Sequence, residues 1–235
     1  MVSFAASGEA CVSFQSIALT QIQSTLPRYR NAVRASGARA YMKEIAPFIG
    51  IAAPQRRQAL REIFQYLPDP TSDEIGSTAR ALWKLNEREY QYAAYDLIQY
   101  FADFTEKDFL HAHCEYLITH KSWWDTVDGL GTAAVSPLTH RYPLKPLMLR
   151  WNKSSNIWLV RASIGHQRGA NRDYDVDLTL RLCQQHVDSK EFFIVKAIGW
   201  ALRDISKFDA QSVKSFLRKN PNLGSVAVRE AERYL

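Results

Sequence analysis

The chain has 235 residues, 46% apolar and 23% charged, with a mean hydropathy of -0.29 and a formal net charge of +6. This is the composition of a globular protein, and the longest apolar stretch, Ile45 to Ala53, is broken by Pro47 and Gly50 and far shorter than the roughly 20 residues that cross a bilayer. Neither disorder nor membrane insertion is expected, and with no Lys or Arg before the first apolar residues the protein is expected in the cytoplasm, without a secretory leader. Helical periodicity then runs from end to end, predicting helices over residues 12–26, 33–45, 54–66, 72–84, 87–102, 106–118, 122–138, 144–151, 155–168, 175–187, 190–206, 209–219 and 223–234. Pro-Asp-Pro at 68–70, Tyr-Pro at 142–143 and Asn-Pro at 220–221 punctuate them, because proline disfavours helical geometry in the residue before it.

Along this series the helices repeat. Tyr90, Trp124, Trp158 and Phe193 are spaced by 34, 34 and 35 residues, each beginning a helix after a polar turn. One period earlier, Arg56-Arg57-Gln58-Ala59 again opens a helix after Pro54. A helical pair of that length cannot bury its apolar face alone, so the expected fold is an all-α, right-handed α-solenoid of HEAT-like repeats with a concave groove. The tetratricopeptide pattern W-x2-L-G-x2-Y is missing despite the matching period. A single domain over residues 1–235 is expected, with a divergent helical segment at 1–35 and the repeat array at 36–235.

Charge is distributed with a direction. Residues 1–120 hold 12 Lys+Arg against 13 Asp+Glu, and residues 121–235 hold 18 against 11, so the second half carries a net +7 and gives the groove a basic character. Such a field suits a polyanion, although a solvated basic surface would look the same. Cys11, Cys114 and Cys183 lie far apart without a C-x-x-C pair and are read as buried thiols. His111-x-His113-Cys114 lacks a third ligand at suitable spacing and is not read as a metal site; no cofactor is expected.

The repeats also supply an internal comparison. Four places after the aromatic, the units read Ala94, Asp128, Ala162 and Ala197, and the single carboxylate is what close packing does not require. One place earlier they read Ala93, Val127, Arg161 and Lys196. Trp124 and Asp128, at i and i+4, share a helix face, and Trp200 lies two turns along the helix that Phe193 begins. A carboxylate with indole faces suits a positively charged target. The plainer alternatives are consensus aromatics in the core, Trp83 first among them with Trp123, Trp124 and Trp158, and a surface Asp128 paired with a Lys or Arg.

The blocks Lys121-Ser122-Trp123-Trp124-Asp125-Thr126-Val127-Asp128, Ser155 to Ala162 and Ser189 to Trp200 resemble the AlkD-like DNA alkylation repair proteins, as do Tyr41-Met42-Lys43 and Phe48 to Ile51 with Pro54-Gln55-Arg56-Arg57. The resemblance covers about residues 38–205; it departs at Ala52-Ala53, where polar residues are expected. It implies a HEAT-like-repeat glycosylase that removes cationic N3- and N7-alkylated purines from double-stranded DNA, acting as a monomer and without a deep base pocket. It further implies Asp128, Trp124 and Trp200 as catalytic-cleft residues, Arg161 as a DNA-backbone contact and Tyr41 as a weaker DNA contact. A purine alkylated at N7 or N3 is already a good leaving group, so the enzyme's task is to stabilise the sugar cation. A carboxylate at about 4 Å contributes about 4 kcal/mol at an effective dielectric near 20, about a thousandfold in rate. The reading requires Asp128 to stand bare between two indoles on the inner wall; a carboxyl turned outward, or locked onto a guanidinium with no room for a nucleotide, would undo it.

Overall fold

A computed structural model describes residues 13–170 and 173–235, and its described residues are helical, without a strand. The helices are α1 (Phe14–Thr25), α2 (Ala32–Tyr41), α3 (Ala53–Phe64), α4 (Ser72–Lys84), α5 (Arg88–Tyr100), α6 (Glu115–Thr119), α7 (Trp124–Leu130), α8 (Ser136–Arg141), α9 (Lys145–Asn152), α10 (Ile157–Ile164), α11 (Val176–Gln184), α12 (Phe192–Ser206), α13 (Ala210–Lys219) and α14 (Ser225–Ala231). None is long and apolar enough to cross a membrane. Local chemistry sets their ends. Thr71 and Glu74 cap α4 reciprocally, the Thr71 side chain accepting from the Glu74 N–H and the Glu74 carboxylate from the Thr71 N–H, while Asn156 and Asp175 cap α10 and α11. Ala52, the residue before α3, offers no side-chain acceptor, so Pro54 in the first turn is left as the start signal.

The expected helices over 106–118 and 122–138 are each interrupted by a π-helical turn, at Leu110–Cys114 and Gly131–Val135. The wider turn takes one more residue than a helical repeat of 3.6, a local adjustment that apolar periodicity does not reveal. The two turns pack against each other between α4 and α7. Cys114 and Cys183 are buried as read, while Cys11 lies outside the described residues. The side chains of the 111–114 run take separate partners: His111 meets Glu115, His113 meets Asp73 at 3.1 Å, and the Cys114 thiol is raised by burial.

The chain is an all-α helical-repeat solenoid. One layer runs α3, α5, α7, α10, α12, α14, each packing on the next; on the other side α1 packs on α4, and α4 on the helix over 110–119. Two apolar clusters fill the interior and meet at α10, where Leu159 and Ala162 join the first and Val160 and Ile164 the second. Trp83 is buried as expected and donates from Nε1 to the His120 carbonyl at 2.7 Å.

One loop shows how the array is pinned. The buried Glu89 carboxylate on α5 accepts the Ile49 and Gly50 N–H groups at 2.8 and 2.7 Å, and the Asn31 N–H donates to the Ile49 carbonyl. Gly50 has φ +89°, and a Cβ there would run into the Asn31 carbonyl oxygen. Gly50→Ala is therefore expected to cost roughly 1–3 kcal/mol, read as a lower midpoint in thermal unfolding; an unchanged midpoint would mean that the loop relaxes freely.

Candidate functional site

The layer formed by α3, α5, α7, α10, α12 and α14 is tied across successive helices by buried ion pairs. Arg56 on α3 donates to Asp96 on α5 at 2.9 Å, and its guanidinium lies over Tyr92 at 4.8 Å. Arg88 on α5 holds Asp125 on α7 in a two-point contact of 2.9 and 2.7 Å, and also donates to the Lys121 carbonyl and the Thr126 hydroxyl. The Tyr92 hydroxyl donates to Asp125 at 2.6 Å; burial first, and then the Asp125 charge, push that phenol upward, so it stays a donor. At the far end Lys196 and Arg203 on α12 converge on Glu230 of α14 at 2.6 and 2.7 Å.

Asp128 belongs to the same series. Both of its oxygens accept from Arg161 on α10, at 2.8 Å from Nε and 2.8 Å from Nη2, and Arg161 Nη1 donates to the Phe193 carbonyl at 2.6 Å. The bare carboxylate expected between two indoles is thus not found: Asp128 is locked onto a guanidinium, as the plainer sequence reading allowed, and Trp200 but not Trp124 lines the cleft beside it. The pair is unequal: 4% of the Arg161 side chain is exposed, against 21% of Asp128. Asp128 opens on a small cleft that it lines together with Arg161, Arg168, Tyr174, Trp200 and Asp204. The cleft's free volume is about 30 Å³, an order of magnitude below the roughly 300 Å³ at which small-molecule pockets begin.

Trp200 forms one wall of the cleft. Its indole carries the guanidinium centres of Arg168 and Arg161 at 4.5 and 4.9 Å and the Lys196 ammonium at 5.7 Å. The cation affinity expected of that ring is therefore engaged by the protein's own side chains. Gly199, next to it, keeps α12 tight against α14: a Cβ there would lie 2.8 Å from the Ala227 Cα and 2.9 Å from the Glu230 Cβ.

Trp124 opens α7, one turn before Asp128, with its ring edge-to-face with Tyr41 at 6.1 Å. Tyr41, the last residue of α2, is 71% exposed. The structure thus brings Asp128, Arg161 and Trp200 together and sets Trp124 with Tyr41 as a second group beside them. Trp123, Trp158 and Phe193 form a separate, partly buried cluster with centroid spacings of 4.9 to 5.8 Å. Sequence reading missed Arg168, Tyr174 and Asp204, which the repeat comparison did not single out. It also missed the ion-pair series, although the sequence offers a signal for it: the partners are 40, 37, 33 and 34 residues apart, about one period.

Residues 22–235 match the family described as DNA alkylation repair enzyme. A structure described as a predicted DNA alkylation repair enzyme from Enterococcus faecalis shares 28% identity at a TM-score of 0.80, covering 88% of this chain and 96% of its own. AlkD2 from Streptococcus mutans, at 17% identity and a TM-score of 0.63 over 95% of this chain and 99% of its own, shares the fold. So does smu.31 from Streptococcus mutans UA159, at 18% and 0.59 over 90% and 100%. No curated protein matches.

Proposed function

The chain belongs to the DNA alkylation repair enzyme family, and from that premise we propose that it is a DNA glycosylase that excises cationic N3- and N7-alkylated purines from duplex DNA. The observation that carries this reading is the inequality of the Asp128–Arg161 pair: solvent reaches the anion far more than the cation. A carboxylate has about four lone-pair positions, of which Arg161 occupies two. The other positions are left for a second partner, and Asp128 lines the cleft in which we place the sugar.

In the proposed reaction the C1′–N bond breaks, its electron pair neutralises the charged purine, and the sugar is left cationic. Water then adds at C1′ and releases a proton. Asp128 stabilises the sugar cation and accepts a hydrogen bond from that water. Arg161 acts as a positioning residue, holding the carboxylate in one plane. Trp124 and Trp200 flank the sugar, and Tyr41 extends the Trp124 surface toward the DNA. Selectivity comes from the lesion's own charge and lability, so the small cleft does not have to enclose the base. The chain works as a monomeric single domain on double-stranded DNA, in the cytoplasm or on the nucleoid.

Arg161 lowers the benefit as well as fixing it. With the sugar at about 4 Å and the guanidinium roughly twice as far, the opposed Coulomb contributions are about 4 and 2 kcal/mol at an effective dielectric near 20. The pair's net help is then about 2 kcal/mol, about thirtyfold in rate.

A non-catalytic scaffold that binds DNA or protein in its groove is the second reading, favoured by one fact: Asp128–Arg161 is one of a series of structural pairs. Incubation with N-methyl-N-nitrosourea-treated duplex separates the two. Release of 7-methylguanine with negligible release of uracil from a uracil-containing duplex is expected; no release of 7-methylguanine favours the scaffold, and strong uracil turnover contradicts selection by lesion charge.

A further inference from the structure

We infer that Arg168, and not Arg161, is the cation that grips a backbone phosphate at the cleft, an assignment that rests on the DNA reading above. The cleft's cations differ in what they have left to give. Arg161 is buried, with all three guanidinium nitrogens donating, two to Asp128 and one to the Phe193 carbonyl. Moving it to a phosphate would strand a partly buried carboxylate and a carbonyl without their donor. Lys196 and Arg203 lie outside the cleft's lining and share the Glu230 carboxylate.

Arg168 stands apart. It lines the cleft and is half-buried, and its guanidinium centre lies 4.5 Å over the Trp200 ring. It forms no ion pair or side-chain hydrogen bond among the described residues. Asp204, the other carboxylate of the cleft, is taken by Lys207 at 2.8 Å. Stacking on an indole engages the guanidinium's face and leaves its N–H edge available, which matches the paired oxygens of a phosphodiester. With Asp128 paired to Arg161 and Asp204 to Lys207, Arg168 is the cleft cation left without an acidic partner among the described residues. Trp200 then has a second role: it sets the height and plane of the phosphate-gripping side chain.

The test is duplex binding by fluorescence anisotropy between 50 and 300 mM NaCl, on unmodified DNA so that excision plays no part. Each neutralised phosphate contributes about 0.9 to the slope of log K against log salt. Arg168→Gln is expected to lower the slope by about 0.9 and to weaken binding about eightfold at 0.1 M salt, with thermal unfolding unchanged. Arg168→Lys is expected to keep the slope, because the charge remains. A wild-type slope in Arg168→Gln, or a loss confined to Arg161→Gln, overturns the assignment and leaves the DNA reading intact. Calorimetric binding of inorganic phosphate that depends on Arg168, together with an unchanged duplex slope, would make the site one for a free anion and overturn it as well. Absence of salt-dependent duplex binding by the wild type removes the DNA reading itself, and this assignment with it.

Discussion

Asp128→Asn is expected to slow 7-methylguanine release about a thousandfold, and Asp128→Asn combined with Arg161→Gln only about thirtyfold. The ordering is unusual, since the double variant is the faster of the two. It follows from the opposed charges in the cleft. Removing the carboxylate alone deletes its own stabilisation of the sugar cation, about 4 kcal/mol, and leaves the Arg161 charge facing that cation unopposed. Removing both charges deletes only the net benefit of about 2 kcal/mol. Single-turnover release from methylated duplex, with duplex affinity and thermal unfolding measured on the same samples, checks this. Equal rates in wild type and Asp128→Asn would take Asp128 out of the chemistry. A double variant slower than Asp128→Asn would show that Arg161 helps catalysis by more than orientation.

Arg88→Gln is expected to give the largest loss of stability of any single change among the ion pairs of the α3–α5–α7–α10–α12–α14 layer. Its guanidinium is buried and donates four times, to Asp125, the Lys121 carbonyl and the Thr126 hydroxyl. Deleting it leaves Asp125, only 9% exposed, with the Tyr92 hydroxyl as its remaining side-chain donor. Breaking one partner of a buried pair costs about 3–5 kcal/mol, and at 2–4 °C per kcal/mol for a chain of this size the midpoint should fall by about 6–20 °C. Circular dichroism on heating measures it. Replacing both partners, as in Arg88→Met with Asp125→Leu, should recover much of the loss, because the desolvation penalty of the orphaned charge disappears. A shift below about 2 °C in Arg88→Gln would mean that water reaches Asp125 and the pair is not buried in solution. The same contact fixes the first turn of α7, the helix that carries Trp124 and Asp128.

The repeat order was legible because apolar periodicity and the 34-residue spacing of Tyr90, Trp124, Trp158 and Phe193 are properties of the local chain. Helix bounds follow it closely at α4, expected and found over residues 72–84, where a reciprocal cap and a terminal Lys leave little freedom. The π turn after Asp128 was not legible. It depends on packing against the turn at Leu110–Cys114, a contact between segments some twenty residues apart. Asp128 itself stood out as a lone carboxylate among alanines, and Arg161 stood out in the neighbouring register position. Their union did not, since register says which helix face a side chain leaves from and not how far a long guanidinium reaches. Arg168 was expected in the last turn of a helix over residues 155–168, but α10 ends at Ile164, so helical register does not place it.

The direction of the ion pairs limits how such an array can change its length. From α3 to α5 and from α5 to α7 the base comes from the earlier helix and the acid from the later, whereas between α7 and α10 the order is reversed. A tandem copy of the segment containing α7 would therefore set Asp125 of the new unit against Asp128 of the old, two acids where a partner is needed. Gene duplication can extend this chain elsewhere, but at the cleft the array accepts no insert, and the number of repeats on either side of it is free to drift while the junction is not.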